Sequence, residues 1–241
     1  GTQIFPAKAD IVGAHASTMT FSYLVLAAMG ILEWRLRGTT GYPILGLVQV
    51  GAIFLGGLLL AAALLFLDTA AVQAVGGIDL LLNLVSVVLF AVRILPAALR
   101  TDWMSAGPSR HVHLAAVFVP VAMALFMYIV FLFISNPDLS NFPIGILVAL
   151  DHTVFIGVIT NLAFAFTLTL ASDRADRWPW AGQVVFWGVN LGLVVFAVGL
   201  VAVSPEIKRI GAPIMGTGVL LGLATIALRL WSSNLRGAEE A

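Results

Sequence analysis

The chain has 241 residues, 61% of them hydrophobic and 10% charged, with 12 basic residues against 12 acidic ones and no cysteine. Soluble domains carry about 25% charged residues, and the apolar residues here fall in blocks long enough to cross a bilayer, so a soluble globular domain is excluded. Zero net charge with singly scattered basic residues leaves no nucleic-acid footprint and no polybasic lipid cluster, while the lack of cysteine excludes disulfides, thiolate chemistry and Fe–S clusters bound by this chain.

Backbone groups in hydrocarbon must be satisfied within the segment itself, and long runs of Leu, Val, Ala and Phe do so as helices, not as alternating barrel strands. The expected fold is all-α: a polytopic membrane bundle of seven transmembrane helices forming one domain over residues 1–241. In chain order the helices are predicted at 11–34, 43–67, 77–99, 111–134, 143–171, 181–203 and 211–231. Gly-Thr-Thr-Gly, Gly-Gly, Ser-Ala-Gly-Pro, Ser-Asn-Pro-Asp, Trp-Pro-Trp and Ser-Pro-Glu mark the breaks between them. The apolar stretch after Asp10 is too long for the h-region of a cleavable signal and has no basic flank, so it reads as the first membrane helix.

Lys and Arg beside the helix ends set the expected orientation. Arg35, Arg37, Arg93, Arg100, Arg110, Arg174, Arg177, Arg229 and Arg236 fall on one side, and Lys8, Lys208 and Arg209 on the other. Nine against three places the N-terminus outside and the C-terminus in the cytoplasm, with Trp34, Trp103, Trp178, Trp180 and Trp231 as anchors at the cytoplasmic interface. The expected location is a prokaryotic cytoplasmic (inner) membrane.

Ionisable residues inside spans cost at least about 2.5 kcal/mol at a lipid-facing helix centre and usually have a partner or a task. The four histidines are the pool considered. His15 precedes Arg35 by 20 residues and His152 precedes Arg174 by 22, on helices that run in the same direction. At 1.5 Å per residue both imidazoles lie about 30 Å above the cytoplasmic charges, at matched depth in the outer half of the membrane. Two neutral imidazoles on separate helices are what six-coordinate haem iron needs, and Gly13, Ala14, Ala16 and Gly157 are small enough to admit a porphyrin edge. The bland alternatives are an interfacial His15 bonded to a loop and a polar knot of His152 with Asp151; a non-haem metal or a proton path is a third. Asp151 could serve as an outer partner of a ligand, but sequential residues point about 100° apart on a helix, so it cannot easily hold its own neighbour.

His111 and His113 begin the fourth helix beside Arg110, most of a membrane thickness from the other pair. An H-x-H spacing on a helix sends the rings to different faces, so both read as ordinary interfacial residues, with a second haem or metal site as the competitor. Arg93 is expected to snorkel to the interface, or else to neutralise a propionate. Asn83, Asn161, Asn190 and Gln49 are read as interhelical hydrogen-bonding residues, and Gly46, Gly51, Gly56, Gly57, Gly188, Gly192, Gly216, Gly218 and Gly222 as sites of close helix approach. Pro120 is read as a kink and Pro213 as a first-turn residue.

The segment Gly-Ala-His-Ala-Ser-Thr-Met-Thr-Phe at 13–21 resembles the helix of haem-copper oxidase catalytic subunits that carries a low-spin haem ligand near the outer face. Leu-Asp-His-Thr-Val-Phe-Ile-Gly-Val-Ile-Thr-Asn at 150–161 is similar to their later histidine helix, and Arg-Ile-Gly-Ala-Pro-Ile-Met-Gly-Thr-Gly-Val-Leu to their last helix. The chain also resembles NnrS-type membrane haem and copper proteins linked to nitric oxide. The resemblance covers about a third of the chain and implies haem b with His15 and His152 as axial ligands. Those oxidases have about twelve helices, a paired histidine motif and a three-histidine copper centre, all of which are missing here, so copper and oxygen reduction by this chain alone are not expected. The expectation is electron transfer or binding of NO or O2, with an enzymatic role left open. The rival is a cofactor-free structural or assembly subunit of a larger respiratory complex, and a transporter ranks last. Expected partners are the lipid bilayer and either other membrane subunits or further copies of the chain, with no nucleic acid.

Overall fold

The structure, a computed structural model, describes residues 10–36, 42–105, 107–135, 142–172 and 178–239. Among these residues all regular structure is helical. Asp10 caps α1 (Ile11–Ser17) by accepting the Gly13 N–H at 2.8 Å, and the helix continues through a π-helical segment, π1 (Thr18–Val25), into α2 (Leu26–Leu36). Next come α3 (Pro43–Phe66), α4 (Thr69–Arg93), the single-turn α5 (Leu95–Ala98) and α6 (Ser109–Ser135). A second interrupted helix follows: α7 (Ile144–His152), π2 (Thr153–Thr160) and α8 (Asn161–Leu170). The chain ends in α9 (Ala181–Val201) and α10 (Pro205–Glu239).

Six helices are long and apolar enough to cross a membrane, with mean hydropathy between 1.8 and 2.7: Pro43–Phe66, Ala70–Arg93, Ser109–Ser135, Ile144–Leu170, Ala181–Val201 and Pro205–Trp231. Their outward faces are apolar as well, with Leu47, Leu81, Leu191 and Leu220 all exposed. Such a surface suits a solvent of lipid. The chain is therefore a multi-pass helical membrane protein in contact with the bilayer.

Two helix starts differ from the sequence expectation. The Gly76–Gly77 pair lies inside α4, whose start is set by Asp68 accepting the Ala71 N–H at 2.9 Å. A helix broken at membrane depth would strand backbone groups in hydrocarbon; a Cβ on Gly76 would meet the Ile134 side chain of α6 at an ordinary 3.6 Å, and one on Gly77 would meet nothing within 4 Å. Similarly α10 begins at Pro205, a good first-turn residue, so Pro213 is interior and costs the helix a backbone hydrogen bond there. The breaks expected at 38–41 and 136–138 lie outside the described residues, as do Lys8, Arg37, Arg174 and Arg177 of the charge count.

The described residues fall into two compact units. The first holds those up to Leu99 together with Ala116–Leu147; the second holds Arg100–Ala115 and everything from Val148 onward. In the first, α1, π1 and α2 pack on α3, and α3 packs along α4, around Met29, Leu32, Ile53 and Phe90. The second is organised by the α9–α10 hairpin, with π2 against α9 and α8 against α10 around Phe164, Val185 and Val189.

Glycine does two different jobs here. In the second unit a Cβ on Gly192 would lie 2.7 Å from Met215 Cα, and one on Gly218 2.7 Å from Val189 N, so these residues permit backbone-to-backbone contact between α9 and α10. Gly222 makes room for the Phe164 ring instead. In the first unit the glycines of α3 admit polar side chains: a Cβ on Gly46 would lie 2.6 Å from the Arg93 guanidinium, and one on Gly56 2.7 Å from Asp79 Oδ1. Gly51 and Gly216, expected to sit at close approaches, have nothing near the Cβ position.

Candidate functional site

Each of the two histidines matched by depth stands at the entrance of a π-helical segment: His15 three residues before π1, and His152 immediately before π2. π-Segments are rare and occur frequently at functional sites, because the wider turn re-aims the side chains that follow. Side chains help to satisfy the wide turn of π2. Thr160 donates its hydroxyl to the Phe155 carbonyl at 2.8 Å, and the Asn161 amide donates to the Gly157 carbonyl at 3.0 Å.

His152 belongs to the second unit. Its Nδ1 lies 2.8 Å from the Val148 carbonyl, which can only accept, so Nδ1 carries the proton and Nε2 presents its lone pair. The ring packs at a tilt on Phe196, centroids 5.0 Å apart. His15 belongs to the first unit, is exposed, and its side chain makes no hydrogen bond among the described residues. Asp151 is half-buried, and its side chain makes no hydrogen bond among the described residues. Gly157 is buried. Gly13 leaves room for the carboxyl group of Asp10, since a Cβ there would lie 2.8 Å from its Cγ.

His111 corrects an expectation. It is not left exposed at the helix start: only 2% of it is accessible, in the interior of the second unit. The Asn161 amide group is oriented by the carbonyls it donates to, of Gly157 at 3.0 Å and Ile156 at 3.3 Å, so its Oδ1 faces the imidazole. His111 Nδ1 therefore donates to that oxygen at 2.8 Å, leaving Nε2 as an acceptor. Asn161 pairs reciprocally with Asn190, whose amide also donates to the Phe186 carbonyl at 2.7 Å. The ring stands edge-on to Phe164 and Phe186. Both asparagines were legible as hydrogen-bonding residues; the histidine they hold was not, because nothing in H-x-H says which ring turns inward. His113 is half-buried, and its Nδ1 has no partner among the described residues.

Arg93 also departs from expectation. It does not snorkel, because Glu33 of α2 and Gln49 of α3 hold it in the interior of the first unit. The Glu33 carboxylate takes both guanidinium nitrogens in a bidentate ion pair, and Gln49 Oε1 accepts from Nη1 at 3.0 Å.

Considering only histidines overlooked Glu33 and, in the middle of α4, Asp79. Asp79 is fully buried and accepts from Asn83 Nδ2 at 2.7 Å through Oδ1. Its Oδ2, Asn83 Oδ1 and Ser86 Oγ have no partner among the described residues. The signal was in the sequence: Asp79, Asn83 and Ser86 are spaced to share one face of a helix.

Among the described residues, no three His, Cys, Asp or Glu side chains gather where they could hold a metal ion. Comparison of the chain with family models, with characterised proteins and with solved structures found no match.

Proposed function

We propose that this chain is a membrane-embedded b-type haem protein of the haem-copper-oxidase-like class, serving electron transfer or the binding of a diatomic gas, with His15 and His152 as axial iron ligands. The observation that carries this reading is the shared placement of the two histidines, each at the mouth of one of the two eight-residue π-helical segments. Neutral imidazole nitrogens are the donor set that six-coordinate haem iron takes. When bound, haem supplies one-electron chemistry or a gas site at the iron. The Val148 carbonyl holds the Nδ1 proton of His152 and so keeps the Nε2 lone pair available and aimed. Phe196 restricts the rotation of that ring. The exposed His15 is the more easily released ligand, and its release would open a position for NO or O2.

On this reading Ile11–Leu36 is the first of seven crossings of a prokaryotic inner membrane. Its N-terminal end lies outside and the C-terminal end of α10 in the cytoplasm, as the nine-to-three distribution of basic residues implies.

Visible spectra of detergent-purified protein, oxidised and dithionite-reduced, test the proposal beside His15→Ala and His152→Ala. The expected result is a sharp reduced α-band in the parent protein that both substitutions abolish. A parent protein without a Soret band overturns it and leaves a cofactor-free structural subunit as the better reading.

A further inference from the structure

The second unit contains a cavity of about 220 Å³ whose polar lining is Arg110, His111, Ser172, Thr225 and Arg229. No acidic side chain among the described residues lines it. Arg110 decides its chemistry. Among the described residues its side chain is the largest of those fully buried, yet it meets no carboxylate there: Nη1 donates to Gln183 Oε1 at 2.7 Å and Nη2 to the Gly182 carbonyl at 2.6 Å. Its face lies over the Phe186 ring, 4.2 Å from Cζ to the centroid, and its Nε has no hydrogen-bond partner among the described residues. Neutral acceptors and a ring face only partly replace the water that a buried cation has lost.

Two helix N-termini add positive potential to the same place. Pro108, Arg110 and His111 belong to the start of α6, and Gly182 to the first turn of α9; all four line the cavity. The free N–H groups and aligned peptide dipoles of a helix start attract anions. A buried guanidinium and two helix starts surround one space that no carboxylate among the described residues lines. Phe164 and Ile226 add apolar lining. At about 220 Å³ the space is below the roughly 300–1,000 Å³ of sites for drug-sized ligands, so it suits one polar head and not a macrocycle.

We infer that this cavity binds a phosphate group, with Arg110 as its principal ligand and the first turns of α6 and α9 as its anion cradle. The phosphate belongs either to the headgroup of an anionic phospholipid or to a free phosphate. His111 supports the site: its proton is committed to Asn161, so Nε2 can accept from a hydroxyl of the bound group.

Thermal unfolding of the full chain separates the sources. The protein in neutral detergent is titrated with inorganic phosphate against chloride at matched ionic strength, and is then melted in nanodiscs of phosphatidylcholine with and without phosphatidylglycerol. A melting temperature raised by phosphate assigns a free phosphate, and one raised only by phosphatidylglycerol assigns the lipid. Arg110→Gln should weaken half-saturation by about tenfold or more, as loss of a charge-assisted contact does. Ser172→Phe, which fills the cavity without touching the hydrogen bonds of Arg110, should do the same and serves if Arg110→Gln fails to fold. The inference is overturned if neither source raises the melting temperature of the parent protein, or if the shift survives in the substituted proteins.

Discussion

Two arginines are buried among the described residues, and their surroundings differ. Arg93, in the first unit, is neutralised by Glu33 and steadied by Gln49, in a space kept open by Gly46. Arg110, in the second, is held by an amide oxygen, a backbone carbonyl and a ring face, next to a cavity. The first arrangement is closed and ties α2, α3 and α4 together. The second gives the guanidinium no carboxylate among the described residues and leaves its Nε without a hydrogen-bond partner there. What separates structural from binding arginines is therefore the company they keep and not their depth.

The largest expected effect breaks the closed arrangement. Glu33→Ala leaves a buried guanidinium without its counter-charge and should destabilise the protein by about 3–5 kcal/mol, measured by denaturation in detergent. Adding Arg93→Met should restore most of that loss; failure to restore it would mean that Arg93 is held by more than Glu33. Next is Asn161→Leu in the second unit, which deprives both His111 and Asn190 of partners and should cost about 1–3 kcal/mol for each group orphaned. Gly192→Ala, which drives a methyl group into the backbone at Met215, should cost about 1–3 kcal/mol by overpacking the α9–α10 hairpin. The equivalent change at Gly51, where nothing lies near, should leave the melting temperature unaltered or slightly raised. A small loss is expected at Asp79→Asn, below about 1 kcal/mol, because one oxygen of this carboxyl lacks a partner among the described residues. A large loss there would show that the unpartnered face of Asp79, Asn83 and Ser86 has a ligand of its own.

Composition and the lengths of the apolar runs determined that this chain is helical and lives in a membrane, because hydrocarbon leaves the backbone no other economical way to satisfy its hydrogen bonds. Spacing also gave the helix-breaking Trp-Pro-Trp and Ser-Pro-Glu turns and the caliber of the polar asparagines. It misjudged Gly76–Gly77 as a break, because a glycine pair looks the same whether it ends a helix or lies inside one. Tertiary structure alone decided which polar residues turn inward and what they meet. Glu33 finds Arg93 across 60 residues, and His111 finds Asn161 across 50. Neither partnership is written in local periodicity, since charge compensation and hydrogen bonding act through space, between helices whose pairing one sequence does not record. The π-helical turns behind His15 and His152 belong to the same class: both histidines were legible as candidates, while the widened backbone beside them appeared only in the folded chain.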